Sequence, residues 1–209
     1  MEDAGFVLIE FGLETGSPRM LESTHKGITQ SDVLTLVETL KPFKKFKVHF
    51  LVMCGFPGET DETVRESVEF IQTILREYYV RITTIGVLEI FPGSEVYEIA
   101  KAAGAIGDDY WLTDKRVPYY TVDHDIQKLR EYADYILDRT SIFRVFTSNG
   151  FRHQFLKMPL QVLTALVRDP GVIPLVAAIS IKCHSPRLYA IIRQGYERFF
   201  RRLSVGKAA

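Results

Sequence analysis

Apolar positions in the first half of the chain alternate between short strand-like runs and longer stretches with helical spacing. The runs at 6–11, 47–53 and 81–90 are apolar and rich in β-branched residues, which is typical of strands covered on both faces. Each run is followed by a segment with an apolar stripe at helical spacing. The order strand, helix, strand, helix, strand, helix over residues 5–103 predicts a parallel α/β sheet with right-handed crossovers.

Threonine and serine residues mark the expected helix starts. Ser17 stands before a proline, so we expect it to cap the first helix. Thr29 or Ser31 is the expected cap of the second helix, and Thr60 that of the third. Because Thr63 lacks a carboxylate, we expect no capping box at the third helix.

The second half of the chain has a different pattern. Residues 104–121 are typical of a loop, 123–147 return to helical spacing, and 150–203 form a proline-punctuated helical tail. We therefore divide the chain into 1–105, 106–149 and a basic helical extension at 150–209. Three strand–helix units cannot close a barrel, and their sheet is expected to have two unpaired edges.

Charge is distributed unevenly along the 209 residues, although the net charge is zero. Residues 1–138 hold 14 Lys and Arg against 24 Asp and Glu, whereas residues 139–209 hold 12 against two. The basic region can face an anionic partner or the acidic region itself.

Cysteine usage and terminal composition favour a reduced cytoplasmic protein. Cys54 and Cys183 are the only cysteines, and their separation fits neither a disulfide framework nor a zinc site. The acidic start MEDAGF lacks the apolar segment of a signal peptide. The longest apolar run, 172–181, contains a proline and is about half as long as a membrane span.

Two of the strands end in glycine-containing turns that also carry an acid, IEFGLETGS at 9–17 and VMCGFPGET at 52–60. Glycine permits positive φ and lets a ligand approach the backbone closely. The carboxyl ends of parallel strands are where α/β sheets and barrels bind ligands. These turns therefore predict a ligand-binding edge.

Three motifs in order extend this prediction to a family: FGLETGSPRML followed by KG, then FLVMCGFPGETDETVRES, then EIFPGSEVYEIAKAAG. Together they resemble the second half of the radical S-adenosylmethionine (SAM) core domain, especially where that domain follows a cobalamin-binding domain. The resemblance covers residues 1–105. It implies a partial (β/α) barrel, the second half of a (β/α)6 barrel, followed by an all-helical extension. It also implies SAM and a [4Fe–4S] cluster as cofactors, formation of a 5′-deoxyadenosyl radical, and cobalamin as a further cofactor of the group.

The resemblance also implies roles for particular residues. Glu14 matches the ribose-binding position, and Lys26 the basic residue that pairs with the methionyl carboxylate of SAM. Met53 lies where the family packs the adenine ring, and Leu88 or a close neighbour would contact the other side of the adenine. We assign no catalytic residue and no metal ligand within the chain.

One defining family motif is absent from the sequence. The CxxxCxxC loop, which supplies three thiolates to the cluster, does not occur. We interpret the chain as a fragment that is inactive alone and whose partner is the missing N-terminal half of the domain. The alternative is a non-catalytic fragment or interaction module that binds a partner or a membrane surface through its basic tail.

Other residues near the motifs have simpler explanations beside the functional ones. Glu59 can support the glycine turn or sit in the first turn of its helix, and we favour the second. Cys54 is expected to be a small buried hydrophobe, and His25 an exposed helix-end residue or a substrate contact. The aromatic residues at 111, 119 and 120 form either a lid or a substrate contact.

The basic tail allows several partners. Its arginines alternate with aromatic and aliphatic residues between 187 and 202, which fits an amphipathic helix on an anionic membrane. A nucleic-acid contact is disfavoured because the whole chain is not basic. A helix that packs its apolar face on the barrel and exposes its cationic face is the simplest explanation.

Overall fold

The computed structural model describes residues 4–43, 47–144, 159–169, 171, 173–185, 187 and 190. The chain divides into two compact units, Met1–Ser141 and Ile142–Ala209. The boundaries that we place at 105 and 149 stay predictions. The arginines of the tail at 193, 198, 201 and 202, like the side chain of Cys183, lie outside the described residues.

The first unit is built on a small parallel sheet. Its strands are β1 (Leu8–Glu14), β2 (Lys47–Cys54) and β3 (Ile85–Val87), hydrogen-bonded in the order β1-β2-β3. Both pairings are parallel, so all three strands present their carboxyl ends at one edge of the sheet. The predicted parallel α/β arrangement is confirmed for these three strands, whereas closure into part of a barrel stays a prediction.

Two of the strands differ from the lengths expected from the sequence. Strand β1 continues to Glu14, three residues beyond the apolar run, because the chain keeps pairing with β2 through the glycine. The run at 81–90 forms regular strand only at Ile85–Val87, with an isolated bridge between Arg81 and His49 before it.

The helices follow the predicted order. In the first unit they are α1 (Pro18–Ser23), α2 (Gln30–Leu40), α3 (Asp61–Glu77), α4 (Glu95–Ala102) and α5 (Ile126–Thr140). Short 3-10 turns cover Asp108–Leu112 and Ile142–Arg144, the latter in the second unit. The second unit also contains α6 (Pro159–Arg168) and α7 (Ile173–His184).

Hydrogen bonds at the helix starts confirm Thr29 and Thr60 as caps and correct two expectations. Thr29 caps α2 in a reciprocal capping box with Asp32. At α3 the expectation of no capping box was wrong, because the Thr63 hydroxyl accepts from the Thr60 N–H at 2.9 Å. Ser17 precedes α1 as predicted, but its hydroxyl donates to a residue of α3 instead of capping α1.

The main core of the first unit lies between the sheet and helices α3 and α5. Helix α3 buries an apolar stripe that includes Val64, Val68 and Ile71. Phe50 of β2 is 1% exposed and meets the ring of Phe11 edge-on, with 6.2 Å between centroids. A second cluster surrounds α4 and includes Ile90, Tyr97, Ala100, Ile106 and Tyr120.

The three-stranded sheet has β1 and β3 at its edges, as expected, and a later segment pairs with the residues that directly follow β3. The Tyr120 N–H donates to the Leu88 carbonyl and the Ile90 N–H to the Pro118 carbonyl, each at 2.8 Å. Tyr120 is buried, and Trp111 packs against Tyr97 of α4. Residues 118–120 therefore act as a short antiparallel partner to residues 88–90, just beyond the end of β3. Across the described part of the chain, no helix has the length and apolar character needed to cross a bilayer.

Candidate functional site

A cleft of about 440 Å³ opens where the three strands end. Glu14 at the end of β1, Met53 near the end of β2 and Leu88 just after β3 all line it. Lys26 reaches the same cleft from the loop after α1. The four residues that the sequence singles out for cofactor binding thus come from four separate segments and face one space. The remaining lining residues are Ser23, Thr24, His25, Phe56, Pro57, Glu95, Val96 and Ile99.

The position of Glu14 results from an irregularity at the end of β1. Gly12 pairs with Leu51 and Glu14 with Val52, so Leu13 is an extra residue in β1. Such bulges re-aim the side chains that follow them. Glu14 has a φ of 64°, a left-handed conformation that costs a non-glycine residue about 1–2 kcal/mol.

Glu14 and Lys26 form an ion pair, called the cleft ion pair below. The Glu14 side chain is 15% exposed and that of Lys26 41%. The ammonium also lies 3.4 Å from the Gly12 carbonyl oxygen. A Cβ atom on Gly12 would fall 2.6 Å from the Glu14 carboxylate and 2.7 Å from Lys26 Nζ. Glycine at position 12 therefore leaves the room in which the two charges meet.

The turn after Glu14 is fastened to α3 by one buried hydroxyl. Ser67 Oγ lies 2.8 Å from the Thr15 hydroxyl and accepts from the N–H groups of Gly16 and Ser17, each at 3.1 Å. It also donates to the Thr63 carbonyl within α3 at 2.9 Å. Thr15, Ser17 and Ser67 are at most 2% exposed. The direction in which the chain leaves Glu14 is thus set by a residue about fifty positions later.

The second glycine turn is organised around the carboxylate of Glu59. This side chain is 3% exposed and accepts from the Gly55 N–H at 2.6 Å. Gly55 has a φ of 91°, which favours glycine there. Burial raises the pKa of the Glu59 carboxyl to about 7, although the Gly55 N–H and His124 oppose the shift. Our preference for a helix-turn role was wrong, because Glu59 precedes the cap of α3 and supports the turn.

Three further side chains hold the same turn from outside the motif. Asp123 accepts from the Gly58 N–H at 2.8 Å, and Arg19 donates to the Gly58 carbonyl at 2.6 Å. The imidazole of His124 donates to the Glu59 carbonyl at 2.8 Å. Asp123 and His124 belong to no sequence motif and lie 65 residues from their partners, so the sequence alone did not indicate them.

One wall of the cleft is apolar and its rim is polar. Leu88, Val96 and Ile99 line the wall beside Met53, and the Leu88 N–H donates to the Cys54 carbonyl at 2.9 Å. On the rim, His25 Nε2 lies 3.4 Å from a Glu95 carboxylate oxygen, with both side chains more than 70% exposed. An apolar platform beside one carboxylate and one ammonium suits a ligand with an aromatic base, hydroxyl groups and an acid.

Cys54 lies behind the cleft and does not fit the role of a cluster ligand. It is fully buried, and its Sγ donates to the Leu129 carbonyl at 3.6 Å. Burial, with a smaller contribution from the Glu59 charge, raises the pKa of the thiol to about 12. An iron–sulfur cluster needs thiolates. Within the described ranges, no group of three or more His, Cys, Asp or Glu side chains is arranged to hold a metal ion.

Comparisons with known proteins agree with the motifs. Residues 1–71 match the family model of the Radical SAM superfamily. The resemblance that the sequence predicts is thereby confirmed for the first third of the chain, which contains Glu14, Lys26 and Met53. An association with cobalamin stays a prediction.

Two curated relatives have similar sequences. An uncharacterized methyltransferase of Pyrococcus horikoshii is 31% identical over 135 residues, which is 64% of this chain and 27% of the relative. An uncharacterized protein of Methanocaldococcus jannaschii is 32% identical over 162 residues, which is 75% of this chain and 34% of the relative. The chain thus aligns with only about a quarter to a third of the length of these relatives.

Proposed function

We propose that this chain supplies the SAM-binding part of a radical SAM enzyme. The observation that carries the proposal is the meeting of Glu14, Lys26, Met53 and Leu88 in one cleft at the carboxyl edge of the sheet. The match of residues 1–71 to the Radical SAM superfamily supports it independently.

Each residue has a proposed partner on SAM. The Glu14 carboxylate accepts hydrogen bonds from the ribose hydroxyls, and the Lys26 ammonium donates to the methionyl carboxylate. Met53 and Leu88 contact the adenine ring. In the structure the two charges pair with each other. The ribose diol and the carboxylate of SAM would replace those contacts, so neither charge would be left unpaired in the filled cleft.

The [4Fe–4S] cluster of the proposed enzyme has to be held by residues other than those described here. Cys54 is a buried thiol with a raised pKa and does not fit the site. We propose that the ligands belong to the N-terminal half of a complete radical SAM domain, the partner expected from the sequence. Formation of the 5′-deoxyadenosyl radical is then a property of the complete enzyme.

The reaction class is a further part of the proposal. One relative is named a methyltransferase, and we propose methyl transfer as the first reaction to test with a complete enzyme. Cobalamin stays a prediction from the resemblance. The alternative, a non-catalytic interaction module, predicts that the cleft binds no nucleoside.

Titration calorimetry with two ligands tests the cleft. Adenosine has the ribose and adenine of SAM but no carboxylate. We expect Glu14→Gln to weaken the binding of both SAM and adenosine by about tenfold or more, because a charge-assisted hydrogen bond contributes about 1.5–3 kcal/mol. We expect Lys26→Met to weaken SAM binding by a similar factor and to leave adenosine binding unchanged.

A second Lys–Glu pair provides the matched control. Lys41 and Glu38 on the surface of α2 pair at 2.6 Å, outside the cleft. Lys41→Met and Glu38→Gln should leave both affinities unchanged. The proposal fails if the wild-type chain binds neither ligand, or if Lys26→Met affects adenosine as strongly as SAM.

A further inference from the structure

The second unit exposes apolar side chains along one face of α6. Leu160, Leu163 and Val167 are 70%, 55% and 80% exposed. Their spacing of three and four residues places them on one helical face. Val162 and Ala165, on the other side of the helix, are each 3% exposed. We call the surface formed by Leu160, Leu163 and Val167 the α6 apolar face.

The next helix also begins with an exposed apolar residue. Ile173, at the start of α7, is 50% exposed. A water-facing helix normally presents polar and charged residues on its outer side. Clustered exposed apolar residues mark a surface that meets a partner or a membrane.

The charge of the same unit restricts what that partner can be. Residues 142–209 contain eleven Lys and Arg and only two acids, Asp169 and Glu197. Asp169 is 2% exposed, so the described surface of this unit carries no exposed acid. Glu197 lies outside the described residues. A surface with this composition is complementary to a dense array of negative charge.

We propose that α6 lies on the surface of an anionic lipid bilayer, with the α6 apolar face at the boundary between headgroups and acyl chains. A polyanion such as nucleic acid would match the positive charge but would leave the leucines in water. An anionic bilayer matches both features, because its headgroups attract lysine and arginine while its acyl chains take up apolar side chains. Helix α6 has ten residues, about half of what a membrane span needs, so we place it along the surface of the bilayer.

Vesicle flotation with the 209-residue chain tests the proposal. The probes are phosphatidylcholine vesicles with and without about 30% phosphatidylglycerol, a typical source of anionic surface charge. We expect the chain to float with the anionic vesicles and to bind neutral vesicles far less. Raising the salt from about 0.1 to about 0.5 M should reduce binding, because the screening length shortens.

A triple variant removes the α6 apolar face and keeps the charge; it combines Leu160→Gln, Leu163→Gln and Val167→Gln. We expect this variant to bind anionic vesicles about tenfold more weakly or worse. Leu112→Gln is the matched control, since Leu112 is 87% exposed but lies in the first unit, and it should bind as the wild type does. Circular dichroism should show the same helix content for all three proteins, because only exposed side chains change.

Three outcomes would overturn the proposal. The wild-type chain could fail to bind anionic vesicles, or the triple variant could bind them as well as the wild type. Light scattering could also show a wild-type dimer that the triple substitution dissociates, in which case a second copy covers the face. None of these results bears on the SAM proposal, whose residues all lie in the first unit.

Discussion

Ser67→Ala tests whether one hydroxyl holds the chain that follows Glu14. The substitution removes a single oxygen from α3 and keeps the helix backbone. It takes away the acceptor of the Gly16 and Ser17 N–H groups and the partner of the Thr15 hydroxyl. All of these groups are buried or lie within the same buried turn, so water cannot replace the lost oxygen without moving the turn.

The magnitude follows from the groups that are left without a partner. A buried donor that loses its acceptor costs about 1–3 kcal/mol. The Gly16 N–H loses its acceptor outright, whereas the Ser17 N–H keeps a weaker contact of 3.3 Å with the Thr15 hydroxyl. We therefore expect Ser67→Ala to lower the free energy of unfolding by about 2–4 kcal/mol. We also expect weaker SAM binding, because the turn positions Glu14.

Urea unfolding followed by tryptophan fluorescence measures this effect. Trp111 is the only tryptophan and lies in the first unit, so its signal reports on the unit that contains Ser67. Thr73→Ala is the control on the same helix, because Thr73 makes the same bond to the carbonyl four residues earlier but is exposed. It should change the stability by less than about 0.5 kcal/mol. A loss below about 1 kcal/mol for Ser67→Ala would refute the reasoning.

Three other substitutions have separable effects. Gly16→Ala would place a Cβ 2.8 Å from the Ser67 carbonyl oxygen, a backbone atom, and should destabilise the unit by about 1–3 kcal/mol in the same urea assay; wild-type stability would contradict this. Gly12→Ala would instead press on the flexible ends of the cleft ion pair, so we expect near-normal stability but weaker SAM binding in calorimetry; the reverse order of effects would be evidence against the proposed cleft geometry. The pKa of Glu59 is higher in the folded than in the unfolded protein. The free energy of unfolding of the wild type should therefore fall as the pH rises from about 4.5 to about 7, by up to about 3 kcal/mol. Glu59→Gln should lack this component, as urea curves at several pH values would show, and an unchanged pH slope would exclude Glu59 as its source.

The features predicted from the sequence are those that local chemistry determines. The glycine turns after β1 and β2 follow from strands that end at residues permitting positive φ or close approach. Parallel order follows from alternating strand and helix periods. Once the order is parallel, Glu14, Met53 and Leu88 belong at the same edge. The placement of Lys26 in the cleft relied on the family resemblance, since a lysine in a loop carries no signal of its own.

The features that the sequence did not predict depend on contacts between distant segments. Ser67 is one of several hydroxyls on α3, and only the fold places it beneath the turn at 15–17. Asp123 and His124 reach the second turn because residues 118–120 pair with residues 88–90, just after β3. The capping box at the start of α3 was missed because the Thr63 hydroxyl takes the place of the usual carboxylate.

Both glycine-containing turns carry a residue that costs the fold stability, which favours a ligand site over turns that only connect a strand to a helix. Glu14 keeps a left-handed backbone that glycine would adopt without strain. Glu59 buries a carboxylate whose raised pKa records the cost of its charge, although a glutamine oxygen could also accept from the Gly55 N–H. A connection that served only the fold could use cheaper residues at both positions. The strained backbone of Glu14 directs its carboxylate into the cleft, where the carboxylate pairs with Lys26 and faces the proposed ribose. The buried carboxylate of Glu59 holds the turn that contains Phe56 and Pro57, and these two residues line the same cleft. Costly features of this kind cluster at functional sites, so their presence at the two turns that bound one cleft supports the proposed SAM site.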